Sequence, residues 1–119
     1  MQKLAEVAAI PGTGLKFSYR EGPFEEEGLL LRLADGTVRA YKNECRHLPM
    51  RLDDRTGSGL WTGDGRLLVC ASHGARYRPE DGRCVAGPCE GSHLRGLPLV
   101  VRDGEVWLDT SKLGGFFDV

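Results

Sequence analysis

The chain has 119 residues and a formal net charge of −1 at neutral pH, which suits one domain with one modest core. This near-neutral balance excludes the polybasic surface that nucleic-acid binding needs, so we expect no nucleic-acid partner. The first apolar run is interrupted at Glu6, and no stretch approaches the roughly 18 apolar residues of a membrane span. We therefore expect a cytoplasmic protein without membrane contact, in a compartment where thiols stay reduced and available for metal.

The first part of the chain predicts short strands separated by turns. Residues 4–10 and 15–19 read as two strands on either side of a turn that contains Pro and Gly. Residues 21–27 are polar and contain Pro23, so we expect a solvated loop there. Residues 28–33 and 37–41 then flank Asp35-Gly36, a dipeptide typical of a tight hairpin turn.

The second part of the chain ends in another predicted hairpin. Its strands, residues 97–102 and 105–108, turn on Asp103-Gly104, and residues 66–69 form a short strand further upstream. No segment keeps helical periodicity over three turns. The predicted fold is therefore all-β with antiparallel sheets. It is a single domain, 1–119, in which a loop-rich subdomain of about residues 43–90 is inserted between two hairpins.

Two pairs of potential metal ligands lie between these hairpins. Cys45 and His47 are spaced as C-x-H, and Cys70 and His73 as C-x-x-H. Each pair offers one thiolate and one imidazole from a loop that follows a strand, where rigid flanks can aim the side chains. Such a set can build a tetrahedral zinc site or a [2Fe–2S] cluster with mixed ligands. The spacing alone indicates a metal and leaves both open.

The arrangement C-x-H, an intervening stretch and C-x-x-H-G resembles the Rieske family, over roughly residues 28–109. The resemblance implies a Rieske-like antiparallel β-sandwich that carries one [2Fe–2S] cluster per chain. It also implies that Cys45 and Cys70 bind the buried iron, while His47 and His73 bind the solvent-facing iron.

Four further positions strengthen the resemblance. Gly74 matches the family's glycine after the second His, where a small residue lets backbone amides approach the sulfurs. Tyr77 matches a tyrosine whose hydroxyl can bond the first Cys sulfur, and Gly87-Pro88 resembles the segment that covers the side of the cluster. With these positions the resemblance favours the cluster over zinc.

Departures from the family pattern indicate the subtype. Rieske proteins of quinol-oxidising complexes carry an extra, disulfide-bonded Cys in each loop, whereas this chain has Met50 and Ser72. Those proteins also place a hydroxyl donor where this chain has Ala75. Fewer hydrogen bonds to sulfur predict a potential at the lower end for such centres. The interval between the ligand pairs is also longer than usual, which predicts an enlarged surface loop.

The resemblance implies an electron-transfer protein with no substrate chemistry of its own. It would be a monomeric ferredoxin that carries electrons from a flavin-containing reductase to a terminal oxygenase or a similar acceptor. We expect the partner to contact the protein near Leu48, Pro49 and Pro88. One alternative is a small subunit of a larger redox enzyme, such as a nitrite-reductase-like or oxygenase assembly. Another is a zinc-stabilised interaction module with no redox role.

Two further cysteines, Cys84 and Cys89, follow the second ligand pair. They can be additional ligands, a disulfide or packed thiols. We expect reduced thiols packed near the cluster.

Overall fold

The computed structural model describes residues 1–45, 51–53, 60–62, 64–71 and 74–113. These residues form nine strands and two short 3₁₀ turns. The strands are β1 (Gln2–Glu6), β2 (Leu15–Glu21), β3 (Phe24–Arg32), β4 (Val38–Lys42), β5 (Leu68–Val69), β6 (Arg76–Tyr77), β7 (Cys84–Ala86), β8 (Leu99–Arg102) and β9 (Glu105–Leu108). The strand pairs are antiparallel, which confirms the predicted all-β fold. Among the described residues, no helix has the length and apolar character to cross a membrane.

One compact unit comprises Met1–Lys42 and Gly96–Val119. It contains two three-stranded sheets, with strand orders β1-β9-β8 and β2-β3-β4. Buried side chains from both sheets and from the segments between their strands form one apolar core: Ile10, Tyr19, Leu30, Ala40, Leu97, Val106 and Leu108. Removing these side chains from water is the main stabilising term for such a sandwich.

Both predicted Asp-Gly turns are present, and each has a local physical cause. In the turn between β3 and β4, the Asp35 carboxylate accepts hydrogen bonds from the Thr37 backbone N–H and hydroxyl, at 3.0 and 2.7 Å. In the turn between β8 and β9, Asp103 and Gly104 have φ angles of 54° and 76°. Two successive positive φ angles are the geometry that a two-residue hairpin needs.

The predicted solvated loop at residues 21–27 is wrong. Strand β2 continues to Glu21 and β3 begins at Phe24, so only Gly22 and Pro23 turn. Gly22 has a φ of 60°, and Arg20 pairs across the hairpin with Glu25. Cross-strand pairing, assisted by opposite charges, therefore keeps this acidic segment extended although its composition is polar. The first predicted strand, in contrast, ends early: β1 stops at Glu6, and residues 7–9 form a 3₁₀ turn.

The second compact unit is Asn43–Arg95, and its short sheet has the order β5-β6-β7. In this sheet Tyr77 pairs with Leu68 on one side and with Cys84 on the other. Both cysteines of the predicted ligand pairs belong to this unit. Of the interval between the ligand pairs, residues 48–50, 54–59 and 63 lie outside the described residues, so the enlarged loop stays a prediction. The assignment of the whole chain to a single domain stays a prediction.

Candidate metal centre

Cys45 lies just after β4, and a buried asparagine ties the loop that carries it. The Asn43 amide donates a hydrogen bond of 3.0 Å to the Asp53 carboxylate, and its oxygen accepts one of 2.9 Å from the Leu52 backbone N–H. Asn43, Cys45, Leu52 and Asp53 are all buried. The side chain of Asn43 thus joins the start of this loop to its end, which is the kind of support that a precise ligand position needs.

Cys70 lies just after β5, and backbone hydrogen bonds close the loop that follows it. The Cys70 N–H donates to the Ala75 carbonyl at 2.8 Å, and the Gly74 N–H donates to the Cys70 carbonyl at 2.9 Å. Gly74 has a φ of 74°, which L residues rarely adopt. A Cβ built on Gly74 meets no described atom within 4 Å. The left-handed backbone, rather than a lack of space, therefore explains the glycine.

One backbone hydrogen bond joins the two loops directly. The Ala71 N–H, next to Cys70, donates to the Leu52 carbonyl at 2.8 Å. The Leu52 N–H donates to Asn43, two residues before Cys45, so Leu52 connects the loop of Cys45 to the loop of Cys70. The loops therefore form one connected structure around two buried thiols.

Tyr77 lies on β6 with its side chain completely buried. Its hydroxyl oxygen is 3.4 Å from the Cys45 sulfur and 3.0 Å from the Cys89 sulfur. The contact with Cys45 is the one that the resemblance implied. Since a thiolate only accepts hydrogen bonds, the tyrosine O–H would be the donor to Cys45 in its ligand form.

The Gly87-Pro88 segment lies against the second ligand loop. A Cβ at Gly87 would be 2.7 Å from the Ala75 Cα and 3.1 Å from its nitrogen, and Gly87 also has a φ of 96°. Only glycine fits both the backbone conformation and this close approach. Ala75 itself is fully buried, while Pro88 is exposed. The segment thus supports the loop from one side and faces solvent on the other.

The turn between β6 and β7 is held by an acidic side chain. The Asp81 carboxylate accepts hydrogen bonds from the Arg78 guanidinium and from the Arg83 backbone N–H, the latter at 3.0 Å. These bonds, the one from Arg78 foremost, hold the pKa of Asp81 below its usual value of 3.8. Charge thereby stabilises the hairpin that places Tyr77 beside Cys84.

The predicted imidazole ligands His47 and His73 lie outside the described residues, as do Met50 and Ser72. The described part of the site consists of its sulfur donors and the groups around them. Two buried thiols on tethered loops, with a hydroxyl donor at one of them, suit a thiolate-ligated metal cluster. Ala75 brings no side-chain donor to the second loop, in keeping with the sequence analysis.

Sequence reasoning missed the structural role of Asn43 and Asp53. A polar residue at the end of a strand carries no signal of burial, and only the fold brings positions 43 and 53 together. Cys84 and Cys89, which the sequence offered as additional ligands, a disulfide or packed thiols, are free thiols whose sulfurs are 3.3 Å apart. Their spacing of five residues marked them as a pair without indicating their geometry.

The family model described as the Rieske [2Fe-2S] domain matches residues 4–104. Among solved structures, the chain resembles the ferredoxin of carbazole 1,9a-dioxygenase from Nocardioides aromaticivorans IC177, with 21% identity and a TM-score of 0.63 over 91% of this chain and 97% of that one. Sphingomonas yanoikuyae B1 ferredoxin has 24% identity and a TM-score of 0.63 over 90% and 95% of the two chains. A structure described as a complex of reduced oxygenase and oxidized ferredoxin in carbazole 1,9a-dioxygenase contains a chain with 21% identity and a TM-score of 0.65, over 89% and 98%. At these identities, the structural matches show a shared fold.

Proposed function

Because the chain belongs to the Rieske [2Fe–2S] domain family, whose cofactor is one [2Fe–2S] cluster, we propose that it is a ferredoxin that carries one electron at a time. It takes the electron from a flavin-containing reductase and delivers it to a terminal oxygenase. When bound, the cluster supplies a centre that accepts and releases a single electron. The observation that carries the proposal is the pair of buried thiols, Cys45 and Cys70, on two hydrogen-bonded loops, together with the hydroxyl of Tyr77 beside Cys45.

We assign the ligands as the family resemblance implies. Cys45 and Cys70 would hold the inner iron, and the burial of both residues supports this. His47 and His73 follow them by two and three positions and would hold the other iron, as mixed ligation requires. Tyr77 orients a hydrogen bond toward Cys45, and the left-handed φ of Gly74 lets the chain turn back directly after His73.

The oxygenase partner is proposed from a relative. The complex of oxygenase and ferredoxin in carbazole 1,9a-dioxygenase contains a chain whose fold matches this one over nearly its whole length. In this chain Gly74, Gly87 and Pro88 are exposed beside the second ligand loop. An apolar, backbone-rich edge of this kind permits close approach of a partner, which electron transfer needs. We propose docking at this edge, a monomeric carrier and a cytoplasmic location.

The experiment is to purify the protein under anaerobic conditions, reduce it with dithionite and record its electron paramagnetic resonance spectrum with iron and acid-labile sulfide analysis. We expect two irons and two sulfides per chain, as a [2Fe–2S] cluster requires, and a rhombic signal whose average g is that of nitrogen-ligated centres. A colourless protein that contains zinc without sulfide would overturn the proposal in favour of the interaction module.

A second measurement separates a ferredoxin from a subunit. The purified chain should be reduced by a flavin-containing reductase and should reoxidise in the presence of a terminal oxygenase, while migrating alone in size-exclusion chromatography. Recovery only in a stable complex with a catalytic chain, and no turnover without that chain, would contradict the carrier role.

A further inference from the structure

Cys84, the first residue of β7, and Cys89, in the turn that follows this strand, form a close pair of thiols. Their sulfur atoms are 3.3 Å apart, and both are in the reduced state. A disulfide has a sulfur–sulfur distance of about 2.05 Å, so the two atoms need to approach by roughly 1.2 Å. The pair is therefore positioned for disulfide formation before any oxidation occurs.

Backbone hydrogen bonds hold both cysteines in place. The Cys84 N–H donates to the Ser92 carbonyl at 2.7 Å, and the Gly91 N–H donates to the Cys84 carbonyl at 2.9 Å. The Cys89 carbonyl accepts from the Ser92 backbone N–H at 3.0 Å and from its hydroxyl at 2.6 Å. Hydrogen bonds therefore hold the backbone at both sulfurs, in strand β7 and in the turn after it.

The two thiols differ in access to solvent. Cys84 is fully buried at 0% exposure, whereas Cys89 is partly exposed. Burial, followed by the side-chain hydrogen bond with Cys89, raises the pKa of Cys84 to about 11. Cys84 thus remains a protonated thiol at neutral pH, and Cys89 is the sulfur that a small reagent reaches first.

We propose that Cys84 and Cys89 form a reversible thiol–disulfide site that is oxidised by small peroxides. The Cys89 sulfur attacks the O–O bond of hydrogen peroxide, which gives the Cys89 sulfenic acid and one water. The Cys84 sulfur then attacks the Cys89 sulfur, the S–O bond breaks, and the thiol proton leaves with the hydroxide as a second water. The two thiols lose two electrons in total, and one peroxide is reduced to two waters.

This thiol–disulfide site has a role other than electron transfer, but Cys89 contacts Tyr77, the tyrosine that also lies beside Cys45. The Tyr77 hydroxyl is 3.0 Å from the Cys89 sulfur. In the disulfide, Cys89 has no S–H to donate to this hydroxyl, whose single proton is directed to the Cys45 thiolate in its ligand form. A dithiol added in excess would restore the pair by thiol–disulfide exchange.

Peptide mapping tests the proposal directly. Trypsin cuts after Arg83 and Arg95, so both thiols fall in one peptide, 84–95, while Cys45 and Cys70 fall in peptides 43–46 and 67–76. The cluster-loaded protein is exposed to stoichiometric hydrogen peroxide, alkylated under denaturing conditions and digested. We expect peptide 84–95 to carry no alkyl group and to be two hydrogens lighter than its reduced form. After treatment with dithiothreitol it should carry two alkyl groups.

Two variants test the order of attack. In Cys84→Ser, a sulfenic-acid probe such as dimedone should label Cys89. In Cys89→Ser, the remaining Cys84 should resist labelling. Labelling of Cys84 at the rate found for Cys89 would overturn the assigned roles. The wild-type result stands without the variants: if peptide 84–95 stays doubly alkylated, or is oxidised only after peptides 43–46 and 67–76 have changed, the proposal is wrong.

Discussion

The hydroxyl oxygen of Tyr77 lies 3.4 Å from the sulfur of Cys45, although 32 positions of the chain separate the two residues. The contact forms because β6 pairs with both β5 and β7, which places Tyr77 in the interior of the second unit. A hydroxyl donor at a ligand sulfur stabilises the added negative charge when an iron–sulfur centre is reduced. This single contact links the small sheet to the redox property of the site.

Tyr77→Phe is expected to lower the reduction potential of the cluster. A hydrogen bond with a net contribution of about 1 kcal/mol corresponds to about 40 mV for a one-electron couple. Protein-film voltammetry measures the shift. Tyr19→Phe, at a buried tyrosine of the other unit, is the matched control and should leave the potential unchanged. An unchanged or higher potential in Tyr77→Phe would contradict the role of the hydroxyl.

Gly87→Ala is expected to destabilise the protein more than Gly91→Ala does. The φ angles of the two glycines are nearly equal, 96° and 93°, so both variants bear a left-handed strain of about 1–2 kcal/mol. Only at Gly87 would the new Cβ meet backbone, at 2.7 Å from the Ala75 Cα, whereas at Gly91 it meets no described atom within 4 Å. Gly87→Ala should therefore lose roughly 1–3 kcal/mol more unfolding free energy than Gly91→Ala, because of overpacking, and denaturant unfolding measures this difference. Equal losses in both variants would show that the contact with Ala75 is unimportant.

Asn43→Ala is expected to weaken the loop that carries Cys45. The buried Leu52 N–H would lose its acceptor, at a cost of about 1–3 kcal/mol. We also expect faster loss of the visible absorbance of the cluster on mild heating. Asp53→Asn is the milder variant, because it keeps an oxygen for the Asn43 amide. If the cluster absorbance of Asn43→Ala is lost at the wild-type rate, the hydrogen bonds of Asn43 do not stabilise this loop.

Asp81→Asn is expected to reduce stability at neutral pH and to have little effect in strong acid. The pKa of Asp81 is lowered in the folded state, chiefly by the Arg78 hydrogen bond, so its contribution is complete above the ordinary value of 3.8. That contribution is lost as the pH falls through the lower, folded-state pKa. Urea unfolding from pH 7 down to pH 2 should show the gap between wild type and variant closing only below about pH 4. Glu90→Gln, at an exposed carboxylate of the same unit, is the control, and a gap that does not depend on pH would refute the mechanism.

His73→Cys tests the assignment of the imidazole ligands. A third thiolate adds negative charge to the centre, so a variant that still holds a cluster should have a lower reduction potential. Its spectrum should also lose nitrogen hyperfine coupling from one imidazole. Retention of both the potential and the coupling would exclude His73 as a ligand.

Much of the fold could be predicted because its signals are local. Asp35-Gly36 and Asp103-Gly104 specify hairpins through the φ angles that the turns need, and these depend on the residues in the turn itself. The acidic half of β3 could not be predicted in this way. Its strand conformation depends on pairing with β2, which outweighs a composition typical of loops.

The sequence by itself indicated a metal centre, because two Cys and two His spaced as C-x-H and C-x-x-H-G offer thiolate and imidazole donors; the resemblance to the Rieske family, and not the spacing, then favoured a [2Fe–2S] cluster over zinc. Only the tertiary structure decided which other groups surround the thiols. The tether at Asn43, the approach of Gly87 to Ala75 and the line of contacts from Cys45 through Tyr77 to Cys89 all depend on strand register and loop closure. Such contacts join residues that are distant in the chain, so no local pattern encodes them.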